Sequence, residues 1–427
     1  MRALCVSGRA DRLTIMRFLH TSDWHLGRTF HGVDVLDVQS RAMDEIVHWV
    51  TEHRVDAVLI SGDVYDRAQP RTEVVELLNT TLAKIRRAGA YVVVTSGNHD
   101  SAARLGFGAE IMAHGGVFLR TRLDHASRPV LFTEDESGVG VTDTALSGGT
   151  GSSEKQGTAE SSQAGENAVA VYGIPYLEPR SVAPGLECQA THQAVLQTVA
   201  RTTTEDLAQR RDTRGVVMAH AFVTGAAATE SERIIDSGGL GTVSADVFDS
   251  HDYAALGHIH RRQTIRESVR YSGSPVAYSF SETGQSKGAW LVEFTAGNEP
   301  EVLPLDHRAG LHLAQLRGHL EDLLRDPEHS DAESAWCQVV LTDSERPAAA
   351  MDRIRTRFSQ TVELRWEPEG GRAQPQLSYS ARVRTAENPE SLCASFFDHV
   401  RQRSVTDPER ADIAAAVGTA QSDARSE

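Results

Sequence analysis

Apolar residues follow two alternating periods along this chain. Arg17-Phe-Leu-His-Thr-Ser22, Ala57-Val-Leu-Ile-Ser61, Tyr91-Val-Val-Val-Thr95, Gly215-Val-Val-Met-Ala219 and Tyr253-Ala-Ala-Leu256 are short, mostly apolar runs. Such runs predict strands covered on two faces. Between them the spacing lengthens. Met43, Ile46, Val47 and Val50, and then Val74, Leu78, Leu82 and Ile85, recur at three- and four-residue intervals, each set predicting a helix that buries one face. Strand and helix thus alternate in the manner of an α/β fold.

Each run is followed at once by residues of a different chemistry. Asp23 and His25 come after the first, Asp63 and Asp66 after the second, Asn98 and His99 after the third, then His220, and finally His258 and His260. Open α/β sheets collect their ligands at the carboxyl ends of strands, so the spacing predicts one shared pocket. Asp23 and His25, like His258 and His260, are one residue apart. On extended backbone that puts both side chains on one face, about 6 to 7 Å apart, within reach of two ions about 3.5 to 4 Å apart. Singly these motifs are weak, since an isolated D-x-H is more often a polar surface cluster and a lone histidine is more often a packing residue. Their common position behind five strands is what argues for a two-metal phosphoesterase.

Composition narrows the setting. The 427 residues exceed what one core usually organises, and no stretch approaches the roughly 20 apolar residues of a membrane span. No apolar signal segment precedes Met16, so a cytoplasmic location is expected. Cys5, Cys188, Cys337 and Cys393 are scattered and form no C-x-x-C pair, which fits reduced thiols and no thiolate metal site. The net charge of −16 gives no global attraction for DNA. Part of it is local: residues 133–168 carry seven acidic side chains against Lys155 in a Gly-, Ser- and Thr-rich context, and are expected to be a disordered insertion. No G-x-x-x-x-G-K-[ST] loop is present, so any dependence on ATP belongs to a partner.

Taken together, these motifs resemble the calcineurin-like metallophosphoesterase superfamily, and Phe18-Leu-His-Thr-Ser-Asp-Trp-His-Leu-Gly-Arg28 resembles its SbcD family, the nuclease subunits of bacterial SbcCD complexes. The resemblance implies a β-sandwich flanked by helices, a smaller α+β capping domain and a C-terminal helical hairpin. It implies Asp23, His25 and His260 on one metal, Asn98, His220 and His258 on the other, and Asp63 bridging both. It gives His99 the task of acting on the substrate phosphate or leaving group, with Asp66 supporting it. Imidazole and oxygen ligands without thiolate fit Mn²⁺, Fe²⁺ or catalytic Zn²⁺, and the resemblance favours two Mn²⁺. The implied partners are an SbcC-type coiled-coil ATPase, double-stranded DNA ends and hairpins, and a second copy of the chain within a heterotetramer. The implied activity is that of a 3′-5′ exonuclease and hairpin endonuclease in repair, recombination and replication. A cyclic-nucleotide phosphodiesterase shares G-N-H-D and G-H-x-H, and a non-enzymatic scaffold that recruits the ATPase is a third reading. Retention of all eight ligand and histidine positions weighs against the scaffold.

Beyond Tyr271-Ser-Gly-Ser-Pro275, which resembles the family's closing loop, the pattern changes. His312 to Leu324 reads as a helix along Leu313, Leu316, Leu320 and Leu323, followed by a strand at Trp336–Leu341, a helix from Pro347 to Phe358 and a strand at Thr361–Trp366. Arg353, Arg355, Arg357 and Arg365 are candidate phosphate contacts, though such arginines more often form a solvated face. Asn388-Pro389 and Asp407-Pro408 each start a helix. The expected organisation is an extension over residues 1–15, a nuclease domain over 16–300, a cap over 301–385, a docking hairpin over 386–418 and a disordered tail over 419–427. Met16 is an alternative start.

Overall fold

A computed structural model of the chain describes residues 15–135, 138–146, 168–229, 241–369, 389–401 and 405–423. The expected extension up to residue 14, most of the acidic insertion (136–137 and 147–167), the 370–385 end of the expected cap, residues 386–388 and 402–404 of the expected hairpin and the last four residues of the tail lie outside them.

Continuous apolar runs become central strands because both of their faces are covered. The first sheet runs, in spatial order, Glu301–Asp306, Gly288–Thr295, Ile15–Thr21, Ala57–Ser61, Tyr91–Thr95 and Val117–Arg120. Its last four strands are mutually parallel. The second sheet runs Gln263–Arg266, Val269–Tyr271, Tyr253–Gly257, Thr213–His220, Ala168–Gly173, Val130–Asp135 and Gly138–Asp143. Side chains alternate between faces along each strand. Val58 and Ile60 therefore enter a core under the helices Leu36–Glu52 and Thr72–Arg87, while Ala57 and Leu59 enter the core between the sheets. There Phe18 and Val93 meet Phe132, Val171 and Met218. The helices Pro179–Leu186 and His192–Leu207 cover the outer face of the second sheet. The result is an α/β/β/α sandwich in which each buried Val, Leu or Phe contributes about 1.5–3 kcal/mol.

His20 shows that not every histidine here is chemical. Its ring bridges the two sheets, from Tyr253 Oη at 2.9 Å to the Leu256 carbonyl at 3.1 Å, and burial pushes it down to about 3.

The structure corrects several boundaries. Part of the 133–168 insertion is ordered, because Gly138–Asp143 pairs antiparallel with Val130–Asp135 at the sheet edge. Val139 and Val141 pack on the inner core, and the buried Arg120 and Asp143 form an ion pair at 2.6 Å. The segment's acidity masked that local G-V-G-V alternation. The expected nuclease/cap boundary at residue 300 also shifts, since Glu301–Asp306 is an edge strand of the first sheet.

The expected helix over His312–Leu324 is instead a strand, Leu313–Gly318, followed by a short helix, Leu320–Arg325. The strand pairs in parallel with Trp336–Leu341, and Thr361–Trp366 completes a three-stranded sheet. Gly318 disfavours helix at the join, and Leu316, the buried position of the strand, suits either period. The helix expected from Pro347 to Phe358 is confined to Ala350–Arg355. Met1–Leu341 and Ala348–Arg365 form one compact unit, with Thr342–Pro347 and Trp366–Glu427 the other. The second contains helices Pro389–Arg401 and Asp407–Asp423, the latter running into the tail expected to be disordered.

Candidate metal centre

Seven side chains from five strand ends meet in one pocket. Asp23, His25 and His260 offer ligand atoms within 4.8 Å of one another, as do Asp23, Asp63 and His220. His25 Nε2 and His260 Nε2 are 3.1 Å apart. On the other side, Asn98 Oδ1 lies 3.0 Å from His220 Nε2 and 3.2 Å from His258 Nδ1. Asp63 stands between the groups, with Oδ2 3.4 Å from both His25 Nε2 and His220 Nε2. Every predicted ligand position is therefore in the pocket, and Asp63 occupies its middle.

The expected extended backbone at the D-x-H and H-x-H pairs is not what holds them. Asp23, His25, Asp63 and His258 adopt positive φ (53°, 41°, 49° and 100°), a strain of about 1–3 kcal/mol each. Surrounding bonds impose it. The amides of Asp23 and His25 donate to the Gly62 and Asp63 carbonyls at 3.1 and 2.9 Å, zipping the first two loops together. The His258 amide donates to Asp23 Oδ1 at 2.9 Å, which ties the second sheet to the first. Gly62 has φ +80° and a Cβ there would come within 2.4 Å of His220 Nδ1; at Gly97 a Cβ would meet Asp63 Oδ1 at 2.1 Å. Both glycines are required by close approach.

Charge in the pocket is unevenly held. Burial pushes the Asp63 carboxyl up, but His220 and His25 overcome this and keep it well below the ordinary carboxylate range. Burial lowers His220, yet Asp63 outweighs it and raises the ring to about 9. Asp23 rises to about 6, through burial and the Asp63 charge, against the pull of His220 and His260. Burial and His220 lower His258 to about 3, and burial holds His25 well below its usual value.

The donor set fits divalent cations. Two buried carboxylates share the pocket with imidazoles whose nitrogens face one another, as His25 Nε2 faces His260 Nε2. Cations between these groups would offset the carboxylate charge and give the facing nitrogens a common acceptor. His220 is set for this role, because its Nδ1 donates to the Ser61 carbonyl at 3.0 Å and leaves Nε2 for the pocket.

His99 sits at the pocket's edge. Its amide donates to Asp63 Oδ1 at 2.9 Å and its Nδ1 to the Asp66 carbonyl at 2.9 Å, while its ring stands edge-on to His25 at 4.7 Å. Asp66 thus reaches His99 through its main chain. Its carboxylate turns instead toward His25 Nδ1, Arg28 and Arg67, at 3.5 to 3.9 Å.

Two residues escaped the sequence reading. Asp100 accepts from the amides of Val64, Tyr65 and Gly97 at 2.9 to 3.1 Å, clamping the second and third loops; it ends the G-N-H-D motif but had no assigned role. Gln39 donates to the His25 carbonyl at 2.8 Å and to Tyr278 Oη at 2.7 Å. Its signal was visible, since it is a polar residue on the apolar stripe of Met43, Ile46 and Val50. The four candidate arginines of the small sheet are already engaged. Arg353 pairs with Glu321, Arg355 donates to the Thr361 carbonyl, Arg357 pairs with Glu333 and Arg365 with Glu363.

Known proteins resemble this chain. The calcineurin-like phosphoesterase family matches residues 16–162, and a domain described as the type 5 capsule protein repressor C-terminal domain matches residues 311–401. Among solved structures, a dimetal phosphatase from Danio rerio aligns with TM-score 0.35 and 14% identity over 68% of this chain and 98% of its own. A calcineurin-like phosphoesterase from Bacillus subtilis aligns with TM-score 0.34 and 11% identity over 68% and 91%. The SbcD subunit of the nuclease SbcCD from Escherichia coli strain K12 is 30% identical over 345 residues, 77% of this chain and 79% of that protein. On that identity and span, the chain belongs to the SbcD family of calcineurin-like phosphoesterases.

Proposed function

We propose that this metal-dependent phosphoesterase is the DNA nuclease subunit of an SbcCD-type complex, cleaving phosphodiester bonds in DNA repair, recombination and replication. The reading is carried by the position of Asp63, equidistant at 3.4 Å from an imidazole of each ligand group. In this reading Asp23, His25 and His260 would hold one divalent ion, Asn98, His220 and His258 would hold the other, and Asp63, whose Oδ2 faces an imidazole of each group, would serve both. Two bound cations, Mn²⁺ on the family resemblance, supply charge that neutralises the phosphodiester and activates water.

The chain's own residues do the remaining work. His99 Nδ1 donates to the Asp66 carbonyl, so the ring acts on the departing sugar oxygen through Nε2, donating there as the imidazolium. The Asp66 carbonyl orients the ring, and Asp100 fixes the loop that carries it. Asp23 accepts from the His258 amide and from Ser22 Oγ, so its orientation is set before a cation arrives.

The partner in this reading is an SbcC-type ATPase docking on the Pro389–Arg401 and Asp407–Asp423 hairpin, where Phe396 is 48% exposed. Phe107 and Ile111, 86% and 78% exposed, offer an apolar face to a second copy of the chain in a cytoplasmic, nucleoid-associated heterotetramer. Among the described residues no helix is long and apolar enough to cross a membrane.

Digestion of linear duplex, hairpin DNA and cyclic nucleotides with Mn²⁺, with and without the ATPase, tests the proposal. DNA cleavage from ends and hairpins is expected. Hydrolysis confined to cyclic nucleotides, or no hydrolysis of any substrate while two ions are bound, would overturn it.

A further inference from the structure

Glu282 and Lys287 form a buried ion pair that no motif announced. Glu282 is 1% exposed and ends the turn Phe280–Glu282, and Lys287, 7% exposed, precedes the strand Gly288–Thr295. Lys287 Nζ donates to the His260 carbonyl at 2.7 Å and to Ser274 Oγ at 3.1 Å, and pairs with Glu282 Oε2. Glu282 Oε1 accepts from the Tyr278 amide at 3.3 Å and lies 3.7 Å from His260 Nδ1. The opposite ring nitrogen, Nε2, is the one facing His25 at 3.1 Å. The pair thus meets His260 at two points, with a hydrogen bond to its main-chain carbonyl and a carboxylate oxygen 3.7 Å from its outer ring nitrogen.

Taking two opposite charges out of water is costly, and a buried ion pair is weak evidence of a stability device. A ligand histidine whose outer nitrogen meets a carboxylate is, by contrast, a recurring means of fixing ring tautomer and orientation. We infer that Glu282 and Lys287 are positioning residues that hold His260 with its proton on Nδ1, so that the Nε2 lone pair is presented to the cation shared with Asp23 and His25. This rests on the two-ion reading above. The pair meets the centre through His260, a member of the first ligand group, so its effect falls on one ion.

A cleft of about 490 Å³, lined by Glu282, Lys287, Gln285, His307 and Arg308 among others, borders the pair, which makes small amines the probe for the ammonium position. The test is Mn²⁺ titration of the full chain by calorimetry, for wild type, Lys287→Ala, Lys287→Arg and Glu282→Gln. Wild type should bind two ions; fewer would overturn the two-ion reading itself. Lys287→Ala should weaken one of the two affinities by about 10- to 100-fold and leave the other unchanged. Propylammonium should restore the lost affinity, tetramethylammonium should not, and Lys287→Arg should lose less than Lys287→Ala. Where Lys287→Ala does not fold, Glu282→Gln, which preserves side-chain size, carries the same expectation. Two unchanged affinities, or an equal loss at both sites with no rescue by the amine, would overturn the inference while leaving the two-ion reading standing.

Discussion

The two sheets contribute unlike halves to one centre. The first sheet supplies Asp23, His25, Asp63 and Asn98 on loops that are strained and laced together by main-chain bonds, while the second supplies only imidazoles, His220, His258 and His260. His220 is still part of a regular strand, Thr213–His220. The carboxylates repel one another and are buried, so their half depends on amides that hold them in place: His99 N on Asp63 and His258 N on Asp23. His220 needs no such lacing, because its bonds to Ser61 and Asn98 and the packing of its strand orient it, whereas His258, at φ 100°, is tied to the first sheet by its amide. Carboxylates packed together need amide donors to hold them, whereas His220 needs only the end of a regular strand.

The hardest break in that comparison is the residue that joins the halves. Asp63→Asn keeps the side-chain shape but removes the charge that holds His220 up at about 9. We expect both metal affinities to fall and the phosphoesterase rate to drop by about 10³-fold, since a bound ion supplies several kcal/mol and each tenfold is worth about 1.4 kcal/mol. Elemental analysis beside a rate assay measures both effects. Loss of only one ion would show that the halves are independent.

Next in size is His99→Ala, which removes a side chain from the first half without touching the carboxylates. The His99 amide on Asp63 survives the change. A loss of about 10²- to 10⁴-fold in rate is expected, as for removal of a positioned general acid, with two ions retained. Metal loss, or a rate within tenfold of wild type, would remove His99 from the chemistry. A smaller effect is expected from Asp100→Ala, which frees the amides of Val64, Tyr65 and Gly97. Loosening the first half should weaken metal binding by about 10- to 100-fold, read by titration at pH 7.5.

The same contrast explains what the sequence revealed. The five strands and the seven side chains that meet in the pocket were legible because strands buried on both faces, such as Ala57–Ser61 and Tyr91–Thr95, are nearly continuous apolar runs with the polar residues at their ends. The strain was not legible. Nothing in Asp23 or His25 as letters announces a positive φ, which arises from bonds to a loop some 40 residues away. The small sheet misled for another reason: Leu313 and Leu316 are spaced for a helix, but only Leu316 is buried and the segment ends at Gly318. Short segments with one buried position satisfy both periods. Glu282 and Lys287 were missed because their meaning lies in a contact with His260, which sequence spacing does not encode.

The smallest effect separates the halves by their protons. A cation entering the first group must displace the proton of Asp23, raised by burial to about 6, while one entering the second must displace that of His220, raised by Asp63 against burial to about 9. His25 and His258 are lowered by burial and cost no proton near neutrality. Affinity should therefore rise with pH by about tenfold per unit for each displaced proton. The rise should level off near pH 6 for the ion on Asp23, and continue toward pH 9 for the ion on His220. Calorimetric titrations between pH 5.5 and 8.5, in buffers of different ionisation enthalpy, read the protons released by each ion. One proton released at the second site and none at the first, at pH 7.5, would confirm that the acidic half is already charged while the imidazole half is not yet free. Equal release at both would mean that Asp63 couples the two halves so tightly that they titrate as one.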